Sequence, residues 1–98
     1  MTSDSGNITF KDNEGAQQYE VYVDGQLAGH AAYRPLDDAR ELPHTELKDQ
    51  YEGQGLGSRL VQFALDDLRK RGLNVVPTCP FVAGYISKHP EYQDLMQG

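Results

Sequence analysis

Cysteine, basic charge and long apolar runs are all scarce in this chain, and each scarcity removes a class of function. Cys79 is the only cysteine in 98 residues, so no internal disulfide can form. A lone thiol fits a reducing compartment, and a cytoplasmic location is expected. Nine Lys and Arg stand against fifteen Asp and Glu, for a formal charge of −6 and a pI near 4.8. A phosphate backbone needs a basic footprint, so nucleic acid is not an expected partner. No apolar run approaches the roughly 18 residues that span a membrane. Residues 1–6 also lack the basic and apolar segments of a signal peptide, so no membrane association is expected. There are no repeats or low-complexity segments. A hydrophobic fraction of 38% supplies one modest core. The expected organisation is a polar tail over residues 1–7 and one domain over 8–98.

The remaining residues alternate in patterns that read as a sheet with helices. Ile8-Thr9-Phe10 reads as a short strand, followed by turn residues Asn13-Glu14-Gly15. Tyr19, Val21 and Val23 alternate with Glu20, Tyr22 and Asp24, the mark of a half-buried strand. Asp24-Gly25 then separates that run from Leu27–Tyr33, a strong signal for a type I′ hairpin. Arg34 to Asp38 reads as a connection, and Pro43 to Leu47 as a fourth short strand.

The period then changes. Leu56, Leu60, Val61, Ala64, Leu65 and Leu68 fall on one face of a helix over about residues 55–71. Asp66/Lys70 and Asp67/Arg71 stand four apart and can pair. Gly72 offers a stop behind three basic residues. Leu73–Val76 reads as a fifth strand. Pro80 can open a second helix that runs from Phe81 to about Lys88, and Glu91–Met96 can add one more turn. The fold class is therefore α+β: a mixed, mostly antiparallel sheet with two main helices.

The segment Tyr51-Glu52-Gly53-Gln54-Gly55-Leu56-Gly57 opens directly into the first helix. Glycines at a helix N-terminus leave backbone N–H groups unshielded, an arrangement that binds phosphate. By itself so short a pattern is equally compatible with a plain turn. It lacks the lysine and spacing of a P-loop. It also lacks the Gly-x-Gly-x-x-Gly spacing of a dinucleotide fold, whose sheet needs a longer chain.

The segment resembles the pyrophosphate loop of the GCN5-related N-acetyltransferase superfamily, Gln/Arg-x-x-Gly-x-Gly/Ala between a strand and a helix. The pattern falls on Glu52-Gly53-Gln54-Gly55-Leu56-Gly57. Glu52 departs from it, standing where a basic or amide side chain is usual; a carboxylate turned away from the loop would be compatible. Two further segments, Val76-Pro77-Thr78-Cys79-Pro80-Phe81 and His89-Pro90-Glu91-Tyr92, resemble the small YjdJ-type acetyltransferase-like family. The resemblance covers roughly residues 15–95 and implies a minimal acetyltransferase fold that binds acetyl-CoA. It implies that Gly53, Gln54, Gly55, Leu56, Gly57, Ser58 and Arg59 hold the coenzyme A pyrophosphate. It also implies that the strand carrying Thr45, Glu46 and Leu47 lends backbone groups to the pantetheine arm. Tyr85 falls where many relatives keep a tyrosine that protonates the departing thiolate, although His89-Pro90 replaces the usual Gly-Phe pair.

Other candidate residues follow from chemistry. Pro80 places Cys79 at the start of the second helix, where a thiol ionises more readily and could carry an acetyl group. A lone cysteine is as often a small buried apolar residue. His44 and Glu46 share one face of the fourth strand, and either could take a proton from an incoming amine. Both could equally be surface residues. One cysteine and three histidines scattered along the chain show no metal-ligand spacing, so no metal is expected.

The expected activity is transfer of acetyl from acetyl-CoA to an amine on a small molecule or protein. The acidic charge favours a cationic acceptor. The chain is expected to be a monomer or weak dimer. A rival reading is a non-catalytic acyl-CoA-binding or protein-interaction module. A third is a structural domain without a cofactor.

Overall fold

The computed structural model describes residues 7–96. Four strands form an antiparallel meander: β1 (Ile8–Asn13), β2 (Gln18–Val23), β3 (Gln26–Pro35) and β4 (Ala39–Leu47). A short fifth strand, β5 (Asn74–Val76), joins β4 in parallel, and the sheet order is β1-β2-β3-β4-β5. Helix α1 (Leu56–Arg71) connects β4 to β5, and α2 (Pro80–Lys88) follows. Two 3-10 segments, Asp49–Tyr51 and Pro90–Leu95, complete the described residues.

Local chemistry accounts for the boundaries. Asp24 and Gly25 adopt φ of 52° and 81°, the two positive values that a type I′ turn requires. At the end of α1, Gly72 has φ of 74°. The Gly72 N–H donates to the Arg69 carbonyl and the Leu73 N–H to the Leu68 carbonyl, at 3.1 and 2.9 Å. That pair of bonds satisfies carbonyls the helix would otherwise leave open. The expected apolar stripe of α1 is fully buried against β2, β3 and β4, where it meets Tyr19, Val21, Ala31 and Leu42.

Three expectations need correction. Arg34 and Pro35 belong to β3, and β4 begins at Ala39, not Pro43. Only Leu36–Asp38 turns, closed by the Leu36 N–H on the Ala39 carbonyl and flanked by a cross-strand Arg34–Glu41 ion pair. Pro43 sits where the β3–β4 register slips and β5 has ended, so its missing N–H breaks no ladder bond. Finally, Asp66 does not pair with Lys70; it accepts a 2.6 Å hydrogen bond from Tyr92, while Asp67 pairs with Arg71 as expected.

The residues between the expected connection and the expected strand, 39–42, belong to β4 and include the polar centre of the fold. Arg40 is 8% exposed. It donates to Asp12 at 2.9 Å and to the Tyr19 hydroxyl at 2.8 Å, and stacks 4.1 Å over the Tyr33 ring. Tyr19 donates to Asp67 and Tyr33 to Asp12, and Arg71 bridges both carboxylates. Burial first, and then these carboxylate hydrogen bonds, hold the Tyr19 and Tyr33 hydroxyls protonated far above the ordinary phenol range.

Candidate functional site

The site grows from a strand that loses its neighbour. β5 pairs only with Ala39–Glu41 of β4. Beyond it the chain turns away, and the Cys79 N–H donates to the Leu42 carbonyl at 3.0 Å. Residues 44–47 pair with β3 alone, which leaves a notch between β4 and α2.

Three glycines border this notch for two different reasons. Gly53 and Gly55 have φ of 84° and 78°, values costly for any residue with a Cβ. Gly57 sits where space is short. A Cβ there would lie 3.1 Å from Phe81 Cζ and 3.5 Å from Leu47 Cδ1. The first bond of α1 runs from the Arg59 N–H to the Gly55 carbonyl, and no side chain caps the helix. The N–H groups of Gly55, Leu56, Gly57 and Ser58 thus precede the ladder and have no acceptor within it.

Two shallow clefts meet at Phe81, a 46% exposed aromatic. One, of about 210 Å³, is lined by Thr45, Leu47, Glu52, Gly57 and Phe81. The other, of about 230 Å³, runs from Ser58 along α2 past Phe81, Gly84 and Tyr85 to His89. Both are below the roughly 300–1,000 Å³ of an enclosed ligand pocket and together resemble an open groove.

Cys79 caps α2, with Pro80 at the first helical position. Its Sγ lies 3.7 Å from Thr45 Oγ1, and the residue is 6% exposed. Burial opposes the thiolate. The Val82 backbone N–H, the Thr45 hydroxyl and the Phe81 N–H outweigh it, and the thiol falls below its ordinary pKa. Tyr85 is half-buried in the second cleft and stacks on His89 at 3.9 Å between ring centroids. Burial, followed by the Glu91 and Asp66 charges, raises its hydroxyl above the ordinary value, so it carries a proton at neutral pH.

The predicted residues divide among three places. Thr45, Leu47, Gly57, Ser58 and Tyr85 line the joined clefts, and Gly53, Gln54, Gly55 and Leu56 form the loop and first turn at their edge. Glu52 is among the residues that line the first cleft. Arg59 spends its N–H on the helix and holds its guanidinium 5.6 Å over the Phe10 ring. His44 and Glu46 form a 3.1 Å pair on the exposed face of β4, opposite Thr45. Nor are the histidines as scattered as their spacing suggests, since His30 and His44 lie with ring centroids 5.9 Å apart. Phe81, Gly84, Lys88 and His89 were missed as lining residues. A signal for Phe81 existed: Val82 and Ile86 mark the buried side of α2, and Phe81 falls off it.

Residues 18–95 match the family described as GCN5-related N-acetyl-transferase. Protein NATD1 of Mus musculus is 32% identical over 59 residues, which are 58% of this chain and 54% of that protein. The chain spans about half the length of the curated relatives it matches. Among solved structures, a GCN5-like protein of Staphylococcus aureus shares the fold with a TM-score of 0.68. It has 21% identity and covers 98% of this chain and 92% of its own. N-acetylglutamate synthase of Neisseria gonorrhoeae, solved with coenzyme A and N-acetyl-glutamate, has a TM-score of 0.60 at 18% identity. That alignment covers 83% of this chain and 23% of the synthase.

Proposed function

Because the chain belongs to the GCN5-related N-acetyltransferase family, we propose that it binds acetyl-CoA and transfers the acetyl group to an amine. The observation that carries this reading is the uncapped N-terminus of α1 beside a groove that Gly57 keeps open. Four backbone N–H groups and the positive helix end suit a pyrophosphate. The free stretch of β4, with Thr45 and Leu47 facing the groove, suits an extended pantetheine arm. We assign the chain to the YjdJ-type subset on its Cys-Pro-Phe and His-Pro-Glu-Tyr segments.

The cofactor supplies an activated acetyl thioester. Cys79 offers a thiol inclined to ionise, held in place by Thr45, which can take the acetyl group as a thioester and pass it to the acceptor. Tyr85 holds the proton that a departing thiolate needs. His44 and Glu46 lie on the other face of β4, where a base would serve an acceptor arriving from the side opposite the groove. The shallow site and the charge of −6 favour a cationic amine presented at the surface, on a polyamine or a protein.

Coenzyme A should raise the melting temperature, because a ligand bound only by the folded state stabilises it. Acetyl-CoA with an amine panel should then release free thiol. No shift at millimolar ligand would reject binding and transfer together. A second reading, acyl-CoA binding without turnover, is favoured by Glu52, an acidic residue in the lining of the groove proposed for an anionic ligand. A clear shift without thiol release from any amine would select it.

A further inference from the structure

The solvent face of the sheet carries a polar row outside the groove. Lys11, Glu20, His30 and Glu46 are successive cross-strand partners on β1, β2, β3 and β4. Glu20 is committed: it is 3% exposed and its oxygens accept from Asn13, Gln18 and Tyr22. His30 and Glu46 meet a third group, His44, two residues before Glu46 and on the same face. His44 Nε2 lies 3.1 Å from Glu46 Oε1. One nitrogen or oxygen from each of His30, His44 and Glu46 lies within 4.8 Å of the other two.

We propose that His30, His44 and Glu46 form a binding site for one divalent transition-metal ion such as Zn²⁺. Two imidazoles and a carboxylate are a donor set that Zn²⁺ accepts, with metal–ligand distances of about 2.0–2.2 Å. At that length, ligand atoms around a tetrahedral ion stand about 3.3 Å apart. The His44–Glu46 pair already has nearly this separation. The wider gap to His30 closes by side-chain rotation, which costs little here because the His44 and Glu46 side chains are 59% and 63% exposed. The backbone needs no movement, since β3–β4 pairing sets His30 directly opposite Glu46. Three protein ligands leave a fourth position for water. Mg²⁺ and Ca²⁺ prefer oxygen donors, so the two imidazoles select against them.

The site has a consequence that rests on the acetyltransfer reading. His44 has one nitrogen lone pair to give. A metal that takes it removes His44 as a base, so the ion should inhibit acetylation and not support it. Binding itself does not depend on that reading.

The test uses the whole chain without a polyhistidine tag. Co²⁺ is titrated and followed by its visible absorption, with Zn²⁺ as competitor and calorimetry for stoichiometry. One ion per chain is expected, displaced by Zn²⁺ and indifferent to millimolar Mg²⁺. His30→Ala should weaken binding at least tenfold with its coenzyme A thermal shift intact, and Cys79→Ser should bind as the parent does. Unchanged affinity in both His30→Ala and Glu46→Gln, or loss on Cys79→Ser, would overturn the site. Where thiol release is measurable, Zn²⁺ should inhibit the parent and spare His30→Ala. Equal inhibition of both would overturn the link to His44.

Discussion

The two ends of α1 are finished in opposite ways. At its C-terminal end, Asp67 and Arg71 enter a sealed network with Arg40, Asp12, Tyr19 and Tyr33. At its N-terminal end, backbone N–H groups have no side-chain cap and Gly57 withholds a Cβ from the groove. The sealed end ties the helix to β1, β2 and β4. The open end leaves polar groups for something other than the protein to satisfy. One helix of 16 residues thus carries both the stability of the domain and its candidate binding site, at opposite ends.

Substitutions should separate the two ends. Arg40→Met should have the largest effect on stability, because it removes the buried cation between Asp12 and the Tyr19 hydroxyl and leaves Arg71 alone to balance both carboxylates. A loss of about 2–3 kcal/mol in urea unfolding is expected, with the coenzyme A thermal shift retained in the remaining folded protein. A loss below about 1 kcal/mol would show that the sealed end does not hold the fold together.

Tyr85→Phe should act at the other end, cutting turnover about a hundredfold while moving stability by no more than about 0.5 kcal/mol. Unchanged turnover would remove the acid role. Cys79→Ala tests the acetyl carrier in the same assay, and full activity together with no acetyl label on the parent chain would reject that role.

High pH should weaken the fold through its buried tyrosines. Tyr92, raised by burial and its bond to Asp66, is pushed up to about 12, and Tyr19 and Tyr33 are raised further. In the unfolded chain these phenols lose protons near pH 10. Their stabilisation is therefore fully present below about pH 10 and falls as pH climbs toward 12, where the unfolded state binds fewer protons than the folded one. Urea unfolding at pH 8, 10 and 11 measures this decline; a flat profile would contradict it. The smallest effect is expected from Gly55→Ala, about 1 kcal/mol of stability for a left-handed residue, with coenzyme A affinity reduced because the loop reorients.

The elements with local signals were legible. The Asp24-Gly25 turn, the α1 stripe and the Gly72 stop each rest on residues close in sequence, and each appears where expected. The start of β4 was not legible, because Arg34–Arg40 has no alternating pattern. Arg40 fell in no predicted element, although it is buried by tyrosines 21 and seven residues away. In the same way, His30, His44 and Glu46 carry no spacing motif, and only the β3–β4 register gathers them. The groove was partly legible: the glycine loop and Thr45 were named from sequence, whereas Phe81, which joins its two halves, was not.

By itself the sequence determined the order and kind of the elements, the family, and the loop that opens α1. Periodicity, turn residues and caps act over a few residues and need no tertiary partner. Only the tertiary structure decided which polar residues are sealed and which are offered. Burial, cross-strand register and the loss of β5 beside β4 are set by distant residues. Those relations made Arg40 a core residue, set Glu52 in the lining of the groove, and put His44 and Glu46 on the face opposite Thr45.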